Sequence, residues 1–343
     1  MKLGIIGLPR SGRSAIFAAL TGIRGQETPK GSRKDQSIAT VRVTDERVDF
    51  LSAEYRPKKS TYATVEYLLP SEVLSGPENV NWGEARICDA LIHVVRNFRD
   101  AGGLEPRPEE DFRRLEDEMI INDLMVAEKR VERIELDLKR GKRPNDEEYG
   151  LVKSCVEVLE SGRPLRIHPE LALSPLLKGF TFLSAKPQLV IINNEDEDES
   201  LPDWRSEQEN IEILAVRGGL ELEIASLPEE EAREFMVEYH IEKSALDRVI
   251  HRSYKLLNLI SFFTVGSDEV RAWTVRSGTP APEAAGVVHS DMQKGFIRAE
   301  VVSFDDFREL GNFKEAKKAG RVRLEGKEYV VRDGDIVHFM FNV

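Results

Sequence analysis

Eight residues near the start of the chain, Gly7-Leu8-Pro9-Arg10-Ser11-Gly12-Arg13-Ser14, have the spacing of a phosphate cradle. In the pattern GxxxxGK[ST] the glycines let backbone N–H groups wrap phosphates, a lysine reaches the outer oxygens, and a hydroxyl holds Mg²⁺. Here Arg13 stands where lysine is expected and Ser14 supplies the hydroxyl. Gly7, Pro9, Arg10, Ser11, Gly12, Arg13 and Ser14 are the candidate nucleotide-binding residues, and Ser14 is the candidate Mg²⁺ ligand. Arginine is always charged, but its planar fork is larger than an ammonium and the two do not interchange in a close-fitting site. The same residues therefore also read as a tight turn with no ligand.

Such a loop works only between a strand and a helix, and the flanking residues supply both. Met1 to Ile6 reads as a short buried strand and Ala15 to Leu20 as an apolar helix. Further strand-like runs fall at Thr64 to Leu68, Ala90 to Val95, Gln188 to Ile192 and Ile211 to Val216. Their alternation with helical stretches predicts an α/β fold with a doubly wound, mostly parallel sheet. Residues 111–164 interrupt it. Leu124, Val131 and Leu138 lie seven apart with Ala127 and Ile134 offset by three, the seam of a coiled coil. A break at Arg140 to Asn145 and a second helix carrying Leu151, Cys155, Val158 and Leu159 make this an inserted antiparallel hairpin. Arms of ~25 residues would reach ~35 to 40 Å.

Lys139, Arg140, Lys142 and Arg143 at the tip form the densest basic cluster of the chain. They read either as a solvated turn or as a finger that contacts RNA phosphates. From Phe262 onward, short strands alternate with Gly and Pro turns, and Asp333-Gly334 between apolar runs is a strong turn signal. The expected organisation is a nucleotide domain over 1–110 and 165–260, the hairpin over 111–164, and a small α+β domain over 261–343.

The 343 residues suffice for two or three domains. A formal net charge of −12 argues against general nucleic-acid coating and DNA sequence recognition, so any RNA contact must be local. With no apolar run of ~18 residues and no leader pattern, no membrane partner is expected and the expected location is the cytoplasm. Cys88 and Cys155 are isolated, which suggests neither a disulfide framework nor a zinc site. His93, inside an apolar run, reads as a core histidine.

Together these pieces resemble the YchF subfamily of Obg-like P-loop NTPases over essentially the whole chain. The most specific segments are Val270-Arg271-Ala272-Trp273-Thr274-Val275, Ala284 to Asp291, Lys294 to Val301 and Asp333 to Val343, which are similar to the family's C-terminal TGS domain, a ubiquitin-like β-grasp. Asp89 to Arg96 and Val43 to Arg47 resemble its nucleotide domain. The resemblance implies a cytoplasmic ATPase with a coiled-coil insertion that associates with the ribosome or ribosomal RNA in translation or stress responses.

The departures concentrate where nucleotide chemistry would occur. Where the family continues its second switch as Asp-x-x-Gly, this chain has Leu69-Pro70-Ser71-Glu72. A leucine cannot ligate a hard cation and Glu72 brings negative charge toward a phosphate, so Mg²⁺ binding and γ-phosphate sensing both read as weakened. The glycine-rich second switch is replaced by Val73 to Trp82, and the first-switch threonine region falls on Arg33-Lys34-Asp35-Gln36, without a matching hydroxyl. At the base-recognition motif, Asn193 pairs in register with Asp196, the acceptor type of guanine-specific proteins. A shift by one pairs Asn194 with Glu197, the adenine type, and an acidic loop that reads no base is the third reading. Arg217 replaces a small residue and would crowd the base or stack on it. ATP and GTP both stand as ligands. Three functions remain open: a nucleotide-binding ribosome factor with weak or lost hydrolysis, an active Mg²⁺-dependent ATPase or GTPase, and a non-enzymatic RNA or protein adaptor with an empty nucleotide fold.

Overall fold

A computed structural model describes residues 1–22, 37–71, 80–99, 102–202, 211–239, 241 and 244–342. The stretches read above as degraded switches, 33–36 and 72–79, lie outside the described residues.

The chain opens with β1 (Lys2–Ile6), α1 (Arg13–Thr21), β2 (Ser37–Arg42), α2 (Glu46–Tyr55), β3 (Lys59–Thr61), β4 (Thr64–Leu69), α3 (Trp82–Arg86) and β5 (Ala90–Asn97). The hairpin follows as α4 (Pro108–Lys139) and α5 (Asp146–Glu160), then a short α6 (Pro169–Ala172). Next come β6 (Gln188–Asn194), β7 (Glu212–Val216), α7 (Gly218–Ile224), α8 (Glu229–Glu238) and α9 (Ala245–Leu256). The C-terminal part comprises β8 (Leu259–Val265), β9 (Glu269–Arg276), α10 (Ala281–Val288), α11 (Ser290–Lys294), β10 (Phe296–Ser303), α12 (Phe304–Leu310), α13 (Phe313–Lys318), β11 (Arg323–Glu325) and β12 (Asp335–Phe341).

The first sheet has the order β2-β4-β1-β5-β6-β7, and β4, β1, β5, β6 and β7 are all mutually parallel. The run Gln188 to Asn194 is buried throughout, as a central parallel strand covered on both faces must be. Leu115 and Met119 of α4 pack with Ala85 of α3 against Ile6, Leu68 and Leu91. The second sheet has the order β11-β10-β12-β8-β9-β3. Its antiparallel pairs β10–β12 and β8–β9 flank the parallel pair β12–β8, and Ala281, Ala284 and Ala285 of α10 bury against Phe262, Phe296 and Phe339. Small residues on α10 let this helix seat closely on the sheet, the arrangement of a β-grasp.

The compact units differ from the expected domain boundaries. One comprises Met1–Ala39 with Glu66–Val249, including the hairpin, and the other Thr40–Val65 with Ile250–Val343. The segment 40–65 falls with the C-terminal unit because β3 pairs in parallel with β9, and because Arg47 of α2 bonds Asp333 at 2.8 Å and lies over the Phe263 ring. Tyr55 stacks on Phe307 in the same unit.

The hairpin arms are unequal, at 32 and 15 residues, rather than matched. Ala127 and Ile134 of the seam are buried with Val152, Cys155 and Leu159 of α5, whereas Leu138 is 44% exposed. The apolar seam therefore fades toward the tip.

Candidate functional site

The loop after β1 has the backbone its glycine pattern requires. Gly7 is buried at the strand end, Arg10 and Gly12 take left-handed φ values of 66° and 87°, and α1 begins at Arg13. Pro9, Arg10 and Ser14 are exposed, while Ser11 and Arg13 are 2% and 4% exposed. The hydroxyl that would meet a metal thus lies at the surface of the helix start. The arginine that replaces lysine is enclosed.

Asn193, at the carboxyl end of β6, ties this loop to the next one. Its Nδ2 donates to the Ser11 carbonyl at 3.0 Å and its Oδ1 accepts from Gly218 N at 2.9 Å. A Cβ on Gly12 would run into Asn193 Nδ2, so glycine is needed there both for φ and for close approach. Close approach alone explains the Gly218-Gly219 pair. A Cβ on Gly218 would lie 2.5 Å from Asn193 Oδ1, and one on Gly219 would lie 2.8 Å from Asp196 Oδ1.

Asp196 is exposed and accepts from Leu220 N at 3.0 Å, next to the N-terminus of α7. Asn194 instead turns away. Its Oδ1 accepts from Asn97 Nδ2 at 2.9 Å, and its Nδ2 donates to the Asp198 and Ser200 carbonyls at 3.0 and 2.7 Å. Of the two registers read from sequence, the geometry brings Asn193 and Asp196 to the loop and spends Asn194 on its own turn. Arg217 pairs with Glu199 at 2.7 Å. Phe98 was not singled out from sequence, yet its ring carbon Cε1 lies 3.8 Å from the place of a Gly12 Cβ. An aromatic immediately beyond a central parallel strand, on the loop side, is the signal that would have found it.

Leu69 ends β4 half-buried. Ser71, just beyond it, gives its N and Oγ to Glu84 at 2.6 and 3.0 Å, and so is held by α3. Among the described residues no group of three or more His, Cys, Asp or Glu could hold a metal ion. The arrangement offers backbone N–H groups and a helix N-terminus to phosphate, and one hydroxyl to a cation.

His93 is the expected core histidine. It stacks on Phe112 with centroids 5.2 Å apart, shares a 3.2 Å hydrogen bond with Gln188 Nε2, and burial, with Arg166 nearby, lowers its pKa to about 3. Both cysteines are free and buried, and burial pushes the Cys88 and Cys155 thiols up to about 11 and about 12. Neither is poised as a nucleophile. No helix among the described residues is long and apolar enough to cross a membrane.

At the hairpin tip, Lys139, Arg140, Lys142 and Arg143 are all exposed. Lys142 Nζ lies 2.9 Å from Asp137, whose carboxyl it holds below the usual range. Asn145 caps α5 through the backbone N–H groups of Glu147 and Glu148. The tip is therefore less uniformly basic than its spacing suggests.

A strand–loop–helix opening, a parallel sheet of this order and an asparagine at the end of β6 clasping the loop define a doubly wound P-loop NTPase fold, here with a helical insertion and a β-grasp unit. The chain belongs to the YchF family. The family model YchF-GTPase_C, described as "Protein of unknown function (DUF933)", matches residues 259–342. Proteins named "Ribosome-binding ATPase YchF" align along the whole chain: that of Haemophilus ducreyi is 37% identical over 100% of this chain and 99% of its own, and that of Bacillus subtilis 36% identical over 100% of both. The structure of the Schizosaccharomyces pombe YchF GTPase superposes with a TM-score of 0.86 at 30% identity, covering 99% of this chain and 97% of that one.

Proposed function

We propose that this chain is a purine-nucleotide-binding, ribosome-associated protein whose hydrolysis is weak or lost. The observation that supports binding is the loop itself: left-handed Arg10 and Gly12 turn the backbone into the start of α1, and Asn193 fixes that turn. Phosphate binding at such a helix N-terminus rests on N–H groups and the helix dipole, and does not require the missing lysine. Asn193 and Asp196 beside α7 support a base site. Ribosome association is carried over from the names of the relatives, and the exposed cations of the tip supply a chemistry for it.

Weak hydrolysis follows from what the chain lacks. Phosphoryl transfer depends on positioning and on neutralising charge. Leu69 occupies the place of the metal-bridging carboxylate, so Ser14 is the hydroxyl left to hold Mg²⁺. That poor fit to a metal predicts ATP or GTP binding that changes little when Mg²⁺ is removed.

Calorimetric titration with non-hydrolysable ATP and GTP analogues, with and without Mg²⁺, followed by single-turnover hydrolysis, tests both parts. Absence of binding would overturn the first. A kcat at or above ~10⁻² s⁻¹, the intrinsic rate of a P-loop GTPase that carries its own catalytic arginine, and dependent on Ser14, would overturn the second.

A further inference from the structure

Two helices of the loop-bearing unit carry apolar stripes that the rest of the described chain leaves open. The first lies on the outer face of α4. Ile121, Met125 and Leu136 are 56%, 56% and 51% exposed, although another face of the same helix buries Ala127 and Ile134. Met125 and Leu136 lie within about 20° of each other around the helix axis. Lys129, Arg133 and Arg140 line one flank of this stripe, and Glu128 and Glu132 line the other as far as Lys139, all of them exposed.

The second stripe is on α8. Ala232, Phe235, Met236 and Tyr239 recur at the three- and four-residue spacing of one helix face, yet no described side chain of this helix is buried. Phe235 and Tyr239 stack on each other instead, with ring centroids 4.4 Å apart. Exposed Glu231 and Glu238 flank the stripe on one side, and exposed Arg233 flanks it on the other.

The two surfaces match in length and in charge. From Met125 to Leu136 the helix rises ~16 Å, and the ten residues of α8 rise ~15 Å. Laid parallel, the flank of Lys129, Arg133 and Arg140 meets Glu231 and Glu238, while Glu128 and Glu132 meet Arg233. Laid antiparallel, like charges meet on both flanks, which costs affinity. Within one molecule both stripes stay exposed together, because α4 is one continuous helix anchored through Leu115 and Met119.

We propose that each stripe is covered by the other stripe of a second copy of this chain, with α8 of one molecule lying parallel against α4 of its partner between Met125 and Leu136. Made twice about a two-fold axis, the contact closes a dimer; made once per copy, it builds an open chain. Ten residues are fewer than the about 20–30 per side of a standard interface, so the association is weak and falls with salt.

The test is sedimentation velocity of the full chain at tens to hundreds of micromolar, in ~50 and ~500 mM salt. The parent should associate with rising concentration at low salt and dissociate at high salt. An α8 variant, Glu231→Arg with Glu238→Arg, and an α4 variant, Lys129→Glu with Arg133→Glu and Arg140→Glu, should each weaken self-association ~ten-fold or more. Mixing the two variants should restore it, because the reversed α8 of one meets the reversed α4 of the other and the two native stripes meet as well. Misfolding of either variant cannot produce that rescue, and circular dichroism of each alone checks that both remain helical.

A parent that is monomeric at every concentration, a single variant that associates like the parent, or a folded pair that fails to associate on mixing would overturn the proposal. A monomeric parent that binds poly(U), with binding lost in the α4 variant, would overturn it by giving the α4 face to RNA.

Discussion

Replacing Gly12 with alanine tests the clasp between the loop and α7. The backbone there has φ 87°, a left-handed conformation that costs an L-residue roughly 1–2 kcal/mol. The added Cβ also points at Asn193 Nδ2, so the amide must leave both the Ser11 carbonyl and Gly218 N, which it holds at 3.0 and 2.9 Å. Leaving buried groups unpaired costs about 1–3 kcal/mol. The sum, about 2–5 kcal/mol, should lower the Tm of the loop-bearing unit by roughly 5–15 °C, read by calorimetry without ligand. Asn193→Ala should cost less, because it breaks the clasp without the backbone strain. In the double variant the Cβ meets no amide, so the combined loss should fall short of the sum by ~1 kcal/mol or more. A melting temperature for Gly12→Ala within a degree or so of the parent, or strictly additive losses, would refute the clasp.

Replacing Lys139, Arg140, Lys142 and Arg143 together with Ser should weaken ribosome co-sedimentation and flatten its dependence on salt, since released counterions set that slope; identical sedimentation at every salt concentration would reduce the tip to a solvated turn. His93 has a folded pKa of about 3 against ~6.5 unfolded, so between these values the unfolded chain binds a proton that the folded one does not. Stability should be fully present above pH ~6.5 and fall on acidification by up to ~1.4 kcal/mol per unit; denaturant melts of His93→Gln should lack that component of the slope. Asp123→Ala should destabilise by about 3–5 kcal/mol, because Arg86 and the backbone N–H groups of Leu183 and Ser184 lose their acceptor; urea unfolding gives the number, and a loss below ~1 kcal/mol would show that the site repacks or hydrates.

The parallel strands were legible because each is an apolar run flanked by turn residues, and the phosphate loop because its glycines recur at fixed spacing. Two short strands escaped for opposite reasons. The run in β2 alternates too weakly in burial to stand out, and β3 is a polar edge segment, Lys59–Thr61, that owes its strand state to pairing with β9 across a long stretch of chain. The base-site register was ambiguous because Asn193 and Asn194 are chemically identical neighbours. Period-two geometry separates them, since successive side chains leave a strand on opposite faces. Arg217 was legible as a departure but not in its use, because its partner Glu199 lies across a turn that sequence cannot fold.

The hairpin shows the same limit in its charges. Glu116 and Asp123 lie seven apart on α4, and carboxylates are rarely interior, yet these two are 3% and 0% exposed. Glu116 receives a two-pronged bond from Arg166 at 2.8 and 2.7 Å. Asp123 accepts from Arg86 at 2.9 Å and from Leu183 N and Ser184 N at 3.0 and 2.7 Å, which hold its charge against a burial that pushes its carboxyl upward. Buried pairs of this kind add little net stability over an apolar core, but removing a partner is costly. Their consequence is register. An apolar seam alone tolerates a slip of one helical turn, whereas a slip here would strand two buried carboxylates away from their donors. Nearer the tip, α4 and α5 are joined by partly exposed pairs, Arg130 with Glu148 at 2.7 Å and Tyr149 with Glu135 at 3.2 Å, which carry no such penalty. The base of α4 is thus keyed within the loop-bearing unit through α3 and residues 183–184, while nearer the cations the two arms are joined by partly exposed pairs.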